Sequence, residues 1–246
     1  PLVFGADTRV EHLELRRATS CVELLAEAGE VSPTFVDVRI ERMVESGVNI
    51  EGLGGQCQPT FERMFIGVTE PTSSSTCMRV IGDPSAPSVR LKVSDSFLGQ
   101  SGGGGIALVD SVDARVERCN FDGLGTGAIN IFTTPNASTR LECLDSVITY
   151  TPQAVIATNG GALIEASLIR CTIAEVVLPL RFNNGSGPLR VTLDSTIVAI
   201  PGESLYTYGP IDFTVSRCLI SDGSFDGLNG CFSGDPGFRN AGDGDF

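Results

Sequence analysis

Between residues 88 and 223, apolar and polar residues follow one another in six segments of similar pattern. The segments read SVRLKVSDSFL, DARVERCNFDG, TRLECLDSVIT, IEASLIRCTIA, LRVTLDSTIVA and DFTVSRCLISD. Their last core apolar residues recur at intervals of 22 to 27 residues, as Leu98, Phe121, Ile148, Ile173, Val198 and Ile220. Two further apolar columns lie seven and five positions before these residues. Apolar columns in step over six copies predict a solenoid, because each repeat then buries its apolar face against the next.

Each repeat also contains a second short apolar segment, seen at 105–109, 127–132, 154–158, 176–182 and 204–208. Two or three short strands in a coil of about 25 residues, separated by Gly, Asn and Ser turns, are typical of a parallel β-helix. The segment at 20–29, SCVELLAEAG, also has helical spacing, but its place in the repeat favours a strand. The prediction is an all-β, single-stranded parallel β-helix of about nine coils.

Composition supports one folded domain over residues 1–246. Of the 246 residues 41% are hydrophobic and 19% are charged, and no break in composition divides the chain. Both ends stop in mid-pattern, so we expect the chain to be a piece of a longer protein. The net charge of −13 disfavours nucleic acid as a partner, and no apolar run suggests membrane insertion.

A ladder of charge accompanies the repeat, three positions before each last core residue. It reads Asp95, Arg118, Asp145, Arg170, Ser195 and Arg217, and the next column reads Ser96, Cys119, Ser146, Cys171, Thr196 and Cys218. At this point the alternation of inward and outward positions shifts by one residue, which we call a change of parity. The shift predicts a bend and places the charges at a corner. Successive charges would then lie about one strand spacing apart, about 4.8 Å.

Two interpretations of this ladder remain open. It is either a stack of Asp–Arg pairs that fixes the register of the coils, or part of a groove for an acidic polysaccharide. Strict alternation over successive coils favours the stack, because a catalytic centre normally breaks a repeat at one place.

Most of the eight cysteines are placed unsuitably for disulfides. Cys119, Cys171 and Cys218 share a column on alternate coils, about 10 Å apart, which exceeds the span of a disulfide. Cys143 occupies an apolar column and is expected to be a buried small hydrophobe. A pair among the remaining four, Cys21, Cys57, Cys77 and Cys231, is left open, and the count does not fix the redox compartment.

The coils have the form φ-x-φ-x-(N/D/R)-(S/C)-x-φ, where φ is apolar, and they resemble repeats of the pectate-lyase-like superfamily. The ending FSGDPGFRNAGDGDF (232–246) is similar to a segment that follows the last coils of bacterial secreted β-helix proteins. This resemblance implies a right-handed parallel β-helix and an extracellular or cell-surface location. It does not imply one activity, because the fold hosts lyases, hydrolases, epimerases, adhesins and scaffolds.

No catalytic residue is assigned from the sequence. If the protein is an enzyme, the candidates are Asp95, Arg118, Asp145 and Arg170, because the resemblance implies acidic calcium ligands and an Arg or Lys base in β-helix lyases. The Asp-Asp and Gly-His-Gly motifs of polygalacturonase-like β-helices are absent, as is the Asp-Pro-His motif of alginate epimerases. The only histidine, His12, is expected at the surface, and the chain has no Trp for sugar stacking.

No cofactor is expected, with calcium as the one ion that the acidic loops suggest. Its candidate ligands are Asp222 and Asp226 around the segment GSFDGLNG, together with the terminal GDGDF, although Asp-Gly pairs favour turns. The run GQSGGGG at 99–105 lacks the Gly-Lys-Ser/Thr ending of a phosphate-binding loop and is predicted to be a turn.

Two functions remain as hypotheses. The first is a non-catalytic structural, adhesive or binding β-helix of a secreted or surface-displayed bacterial protein. The alternative is a polysaccharide lyase or glycoside hydrolase acting on an acidic glycan. Expected partners are a polysaccharide, or other protein chains at the open ends of the β-helix. A groove that holds Asp95, Arg118 and Asp145 would favour the enzyme, whereas a plain ridge of pairs would favour the scaffold.

Overall fold

The computed structural model describes residues 7–17, 20–27, 29–67, 75–85, 88–185, 187–200, 202–234 and 236, and all regular structure in them is β-strand. The first four coils contain β1 (Arg9–Glu11), β2 (Glu14–Arg16), β3 (Ser20–Ala26), β4 (Glu30–Val31), β5 (Thr34–Val36), β6 (Arg39–Glu41), β7 (Ser46–Gly52), β8 (Gln56–Cys57), β9 (Thr60–Glu62), β10 (Phe65–Gly67), β11 (Thr76–Ile81), β12 (Val89–Ser94), β13 (Phe97–Gly99) and β14 (Ile106–Val109). The remaining coils contain β15 (Val112–Glu117), β16 (Asn120–Asp122), β17 (Gly127–Thr133), β18 (Thr139–Leu144), β19 (Val147–Thr149), β20 (Gln153–Asn159), β21 (Ile164–Ile169), β22 (Thr172–Ala174), β23 (Leu178–Asn184), β24 (Leu189–Asp194), β25 (Ile197–Ala199), β26 (Leu205–Tyr208), β27 (Asp212–Ser216) and β28 (Leu219–Ile220).

These strands form three parallel sheets, because each coil contributes one strand to each sheet and the next coil repeats the path. Sheet A runs β1-β5-β9-β12-β15-β18-β21-β24-β27, with the short β4 and β8 at its side. Sheet B runs β2-β6-β10-β13-β16-β19-β22-β25-β28, and sheet C runs β3-β7-β11-β14-β17-β20-β23-β26. The predicted parallel β-helix is confirmed, with about eight complete turns; its right-handed sense stays a prediction.

The core lies between the three sheets and consists of stacked columns. The column of last core residues lies in sheet B, where Ile148, Ile173 and Val198 are in register and fully buried. A second buried column lies in sheet A, and in the first coils it consists of aromatic residues. Phe35 and Phe61 stack there with their ring centroids 4.9 Å apart. Each column is buried by the coils on either side, so the stability of one coil depends on its neighbours.

A bend with a left-handed backbone conformation separates sheet A from sheet B in every coil. Its residue has a φ between 50° and 54° throughout, as follows: His12, Asp37, Arg63, Asp95, Arg118, Asp145, Arg170, Ser195 and Arg217. The bend splits each repeated segment into two strands, so that SVRLKVSDSFL contains β12 and β13. The change of parity noted in the sequence therefore has its cause in one residue with positive φ.

The ambiguous segment at 20–29 contains the strand Ser20–Ala26, as predicted, and 99–105 turns without a regular element beyond Gly99. The terminal segment 232–246 lies mostly outside the described residues. The described part of the chain has no helix with the length and apolarity needed to cross a membrane.

Candidate functional site

The charge ladder occupies the corner between sheets A and B, and its members form ion pairs from coil to coil. Arg118 donates from Nε and Nη2 to the two carboxylate oxygens of Asp95, at 2.6 and 2.8 Å. Arg170 makes the same two bonds to Asp145, at 2.6 and 2.7 Å. The structure therefore brings all four candidate residues together on one corner. In each bidentate pair the arginine binds the aspartate of the preceding coil.

The ladder is longer than the sequence indicated. Arg63 pairs with both oxygens of Asp37, at 2.7 and 2.9 Å, and His12 Nδ1 lies 3.6 Å from Asp37 Oδ2. His12 is exposed, as predicted, but it is also the first member of the column. In these coils the residue after the bend is apolar, as in Val38, so the Asp-Ser and Arg-Cys motif that marks the later coils is missing. The alternation of charge from His12 to Asp37 to Arg63 is the signal in the sequence that would have identified these coils as part of the ladder.

At the C-terminal end of the ladder, an adjacent residue replaces the missing aspartate. Ser195 occupies the bend position, where the preceding pairs have an aspartate. Arg217 instead binds Asp194, with Nη2 2.6 Å from Oδ2. The hydroxyl of Ser216 donates to the other oxygen of Asp194 at 2.6 Å. The pairing of one coil with the next is thus retained although the column itself changes.

The alternation of Ser or Thr with Cys after the bend satisfies backbone groups. Ser146 Oγ accepts a hydrogen bond from the amide of Cys119, one coil earlier, at 3.0 Å, and donates to Leu144 O at 2.8 Å. Ser96 bonds the amide of Met64 in the same way at 3.0 Å. These hydroxyls are almost fully buried, and an unpaired amide there would be costly. The hydroxyl column is therefore a structural part of the corner.

A groove of about 880 Å³ runs beside the ladder on the outer face of sheet B, across coils four to six. Its lining consists of Asp95, Ser96, Phe97, Arg118, Cys119, Asn120, Asp122, Asp145, Val147, Thr149 and Tyr150. We call it the corner groove. A groove holding Asp95, Arg118 and Asp145 was the alternative to the favoured stack of pairs, and Asn120, Asp122 and Tyr150 were not among its candidate residues. Those three lie in the strand or bend that follows the ladder, and no repeat marks them.

The apolar end of the corner groove is formed by stacked aromatic rings. Phe97 stacks on Phe65 of the preceding coil, with centroids 5.0 Å apart, and Arg39 lies 4.0 Å from the Phe65 ring centroid on its other side. The Phe97 ring folds over Gly99, where an added Cβ would lie 2.8 Å from the ring. The same Cβ would clash with the backbone oxygen of Asp122 in the next coil, so a larger residue at position 99 would disturb both the strand pairing and the ring.

The ladder keeps its carboxylates ionised. The hydrogen bonds from Arg118 hold the pKa of Asp95 below its ordinary value, and those from Arg170 do the same for Asp145. In return, the hydrogen bonds to Asp95 raise the pKa of Arg118, and those to Asp145 raise the pKa of Arg170. Within the corner groove Asp122 accepts a hydrogen bond from Thr149 Oγ1 at 2.9 Å. Asp95 is paired with Arg118 and Asp145 with Arg170, and Asp122 has no ion pair among the described residues, so the groove keeps a net negative charge.

The two candidate calcium ligands lie in the turn that follows β28. Asp222 accepts hydrogen bonds from the Ser224 amide at 2.9 Å and the Ser204 amide at 2.6 Å, and Asp226 accepts one from the Ser233 amide at 3.1 Å. Burial acts to raise the pKa of Asp222, but a hydrogen bond from the Ser224 hydroxyl and those from the Ser204 and Ser224 amides outweigh it and lower that pKa. Among the described residues no three His, Cys, Asp or Glu side chains converge as a metal-binding group.

All eight cysteines are buried, and none of them forms a disulfide. Cys143 is fully buried, as predicted for its apolar column, and Cys171 Sγ lies 3.8 Å from its sulfur. None of the pairs left open among Cys21, Cys57, Cys77 and Cys231 is bonded. Burial raises the pKa of Cys57 to about 11 and that of Cys77 to about 12, so these thiols are protonated at neutral pH.

No protein-family model, no curated protein and no solved structure gives a significant match to this chain. The parallel β-helix is thus established by the sheet topology, and the resemblance to the pectate-lyase-like superfamily is not confirmed by a family match.

Proposed function

We propose that the protein is a non-catalytic binding β-helix whose corner groove takes a polysaccharide. The observation that carries the proposal is the pairing of Asp95 with Arg118 and of Asp145 with Arg170. These are the residues that an enzyme would need, and each is bound to its partner through both of its carboxylate oxygens or two of its nitrogens.

The protonation states of the ladder argue against acid–base catalysis. A glycosidase needs one carboxylic acid with a raised pKa, and a lyase with an arginine base needs a guanidinium with a lowered pKa. Asp95 and Asp145 have lowered pKa values, and Arg118 and Arg170 have raised ones. The shifts are therefore opposite to those that a general acid requires of Asp95 or Asp145 and that an arginine base requires of Arg118 or Arg170.

The lining of the corner groove supports an uncharged saccharide as ligand. Phe97 and Tyr150 offer apolar surface for the C–H faces of sugar rings, and Tyr150 is 40% exposed. Asn120, Asp122 and Thr149 offer groups for hydroxyls, a combination typical of ligand sites. The net negative charge of the lining repels uronic acids, so we expect a neutral or amine-bearing glycan in place of the acidic glycan first considered. Such polymers coat cell surfaces, and we accordingly propose an extracellular or surface-displayed location.

Calorimetric titration with neutral hexasaccharides, oligogalacturonate and an amine-bearing chitosan oligomer tests this proposal. We expect at least one neutral or amine-bearing oligomer to bind, and Tyr150→Ala or Asn120→Ala to weaken that binding about 10-fold. Tyr208→Ala is the matched control, because Tyr208 is exposed on sheet C away from the groove. Binding of oligogalacturonate alone, or equal loss in the Tyr208 variant, would contradict the proposal.

The alternative is a polysaccharide-active enzyme, and one observation favours it. The groove that was expected to distinguish the two functions does hold Asp95, Arg118 and Asp145. The pairing within the ladder is the reason for ranking this alternative second, and turnover of a polysaccharide is the measurement that separates the two.

A further inference from the structure

A second charged pattern lies on the outer face of sheet A. One column alternates in sign from coil to coil, as Arg90, Asp113, Arg140, Glu165, Arg190 and Asp212. The neighbouring column reads Thr60, Lys92, Arg115, Glu142, Ser167 and Thr192. Here the alternation fails, because Lys92 and Arg115 are register partners with their backbones about 4.8 Å apart. Like charges placed directly side by side destabilise a sheet.

The surrounding carboxylates neutralise Arg115 but leave Lys92 without a counter-charge. Arg115 turns away from Lys92 and binds Glu142 of the next coil at 2.5 Å and Glu117 at 3.3 Å. On its other side Lys92 has the uncharged Thr60. Within the part of the chain that the structure describes, neither Lys92 nor Arg90 has a carboxylate oxygen within 4.0 Å, and both side chains are exposed.

These cations line a depression of about 250 Å³, which we call the sheet A depression. Its polar lining consists of Gln58, Thr60, Arg90, Lys92, Asp113 and Arg115. Three basic residues face one acidic residue there, in a chain whose net charge is −13. Lys92 is also the only lysine of the chain. Arg115 already has two carboxylate partners, but Arg90 and Lys92 have none among the described residues and together outweigh Asp113. Such a local excess of positive charge has the electrostatics of an anion site.

We propose that the sheet A depression binds an oxyanion, namely a carboxylate or sulfate group of a ligand. Lys92 supplies a point charge, Arg90 supplies a planar fork of donors that matches two oxygens, and Thr60 supplies a hydroxyl donor. The bound anion supplies the counter-charge that Lys92 lacks beside Arg115. This inference rests on sheet A alone and is independent of the corner groove, whose lining has the opposite charge.

The single lysine provides a specific reporter for this site. Protein labelled with ¹³C at the lysine Cε gives one lysine side-chain resonance, from Lys92. We expect it to shift saturably with at least one of three probes: inorganic sulfate, an oligogalacturonate, or a sulfated oligosaccharide. The ionic strength is held constant with sodium chloride. A shift with the oligogalacturonate alone identifies a carboxylate ligand, and one with the sulfated probes alone identifies a sulfate ligand.

Two variants complete the test. Arg90→Gln should weaken binding at least about 5-fold while Lys92 still reports, because one of the two unpaired cations is lost. Arg190→Gln is the matched control, since Arg190 lies in the same outer column but is paired with Glu165 at 2.9 Å; binding should be unchanged. The proposal is overturned if no probe gives a saturable shift, if a neutral hexasaccharide gives the same shift, or if both variants bind as the wild type does.

Discussion

Arg170 donates two hydrogen bonds to Asp145, the aspartate one coil before it, at 2.6 and 2.7 Å. Arg63 and Arg118 bind the preceding coil in the same way, through Asp37 and Asp95. The corner thus consists of coils joined two by two rather than of an evenly spaced row of charges. A bidentate pair fixes the position of one coil relative to the next. This matters in a solenoid because each coil packs only against the coils directly before and after it.

Loss of a corner pair should cost much less stability than loss of a core contact. Ile173→Ala should lower the free energy of unfolding by about 2–5 kcal/mol, because Ile173 is fully buried between two coils. Arg170→Gln, three residues earlier at the exposed corner, should cost much less, since exposed ion pairs contribute little. Urea unfolding of both variants measures this, and equal losses would show that the ladder is a main source of stability.

The ladder should also shape the acid response. The pKa values of Asp37, Asp95 and Asp145 are lowered in the folded state, first of all by hydrogen bonds from Arg63, Arg118 and Arg170 respectively. A lowered folded pKa adds stability that is present above the unfolded value of about 3.9 and is lost as the pH falls below it. Urea midpoints should therefore change little from pH 7 to 5 through this ladder and decrease toward pH 3.

Asp145→Asn separates this contribution from general acid effects. The variant should be less stable than the wild type at pH 6, and its further loss toward pH 3 should be smaller. Asp212→Asn serves as control, because Asp212 is an exposed carboxylate without an ion pair among the described residues. If both variants followed the wild-type curve, the lowered pKa values would not contribute.

The free energy of unfolding should depend on the shape of the side chain at the bend position. Ser195 has a φ of 52°, a conformation that β-branched residues adopt only at a cost. Ser195→Val should lower the free energy of unfolding by about 1–3 kcal/mol, whereas Ser195→Gly or Ser195→Asn should be tolerated. Thr192→Val, on the outer face of the extended strand β24, is the control and should have little effect. A harmless Ser195→Val would mean that the bend relaxes freely.

The cysteines should be unreactive until the β-helix opens. All eight are buried, which keeps the reagent away, and burial raises the pKa of Cys57 and Cys119 to about 11 and that of Cys77 to about 12. The pKa of Cys171 is instead lowered by its hydrogen bond with Cys143, so burial alone protects that thiol. Ellman's reagent should react slowly with native protein and should titrate eight thiols after unfolding in urea without reductant. A titre of six or fewer would reveal a disulfide.

Much of the fold was predictable because the same position of every coil is buried and therefore has to be apolar. The columns that contain Leu98, Ile148 and Ile173 are periodic in the sequence because each coil must fill the same place in the core. The corner was predictable for a related reason: the bend changes the parity of the strand, and that change is visible in the spacing around Asp145.

The corner groove was less predictable, because a concave surface depends on neighbours that the repeat does not mark. Tyr150 and Asp122 enter the groove through the register of sheet B, and neither belongs to a repeated motif. The pairing of Arg217 with Asp194 in place of Ser195 depends on side-chain reach, which a column alignment does not show. The repulsion between Lys92 and Arg115 likewise became visible only once the register of β12 and β15 was known.

The most direct test of a non-catalytic corner groove is one screen of the purified chain against neutral, amine-bearing and acidic polysaccharides, with and without calcium. Unsaturated-sugar absorbance, reducing ends and melting temperature are followed together. Our account predicts a rise in melting temperature with a neutral or amine-bearing glycan, and no product from any polymer. Product formation that Asp145→Ala abolishes, while Asp212→Ala leaves it intact, would contradict the account and place catalysis on the charge ladder.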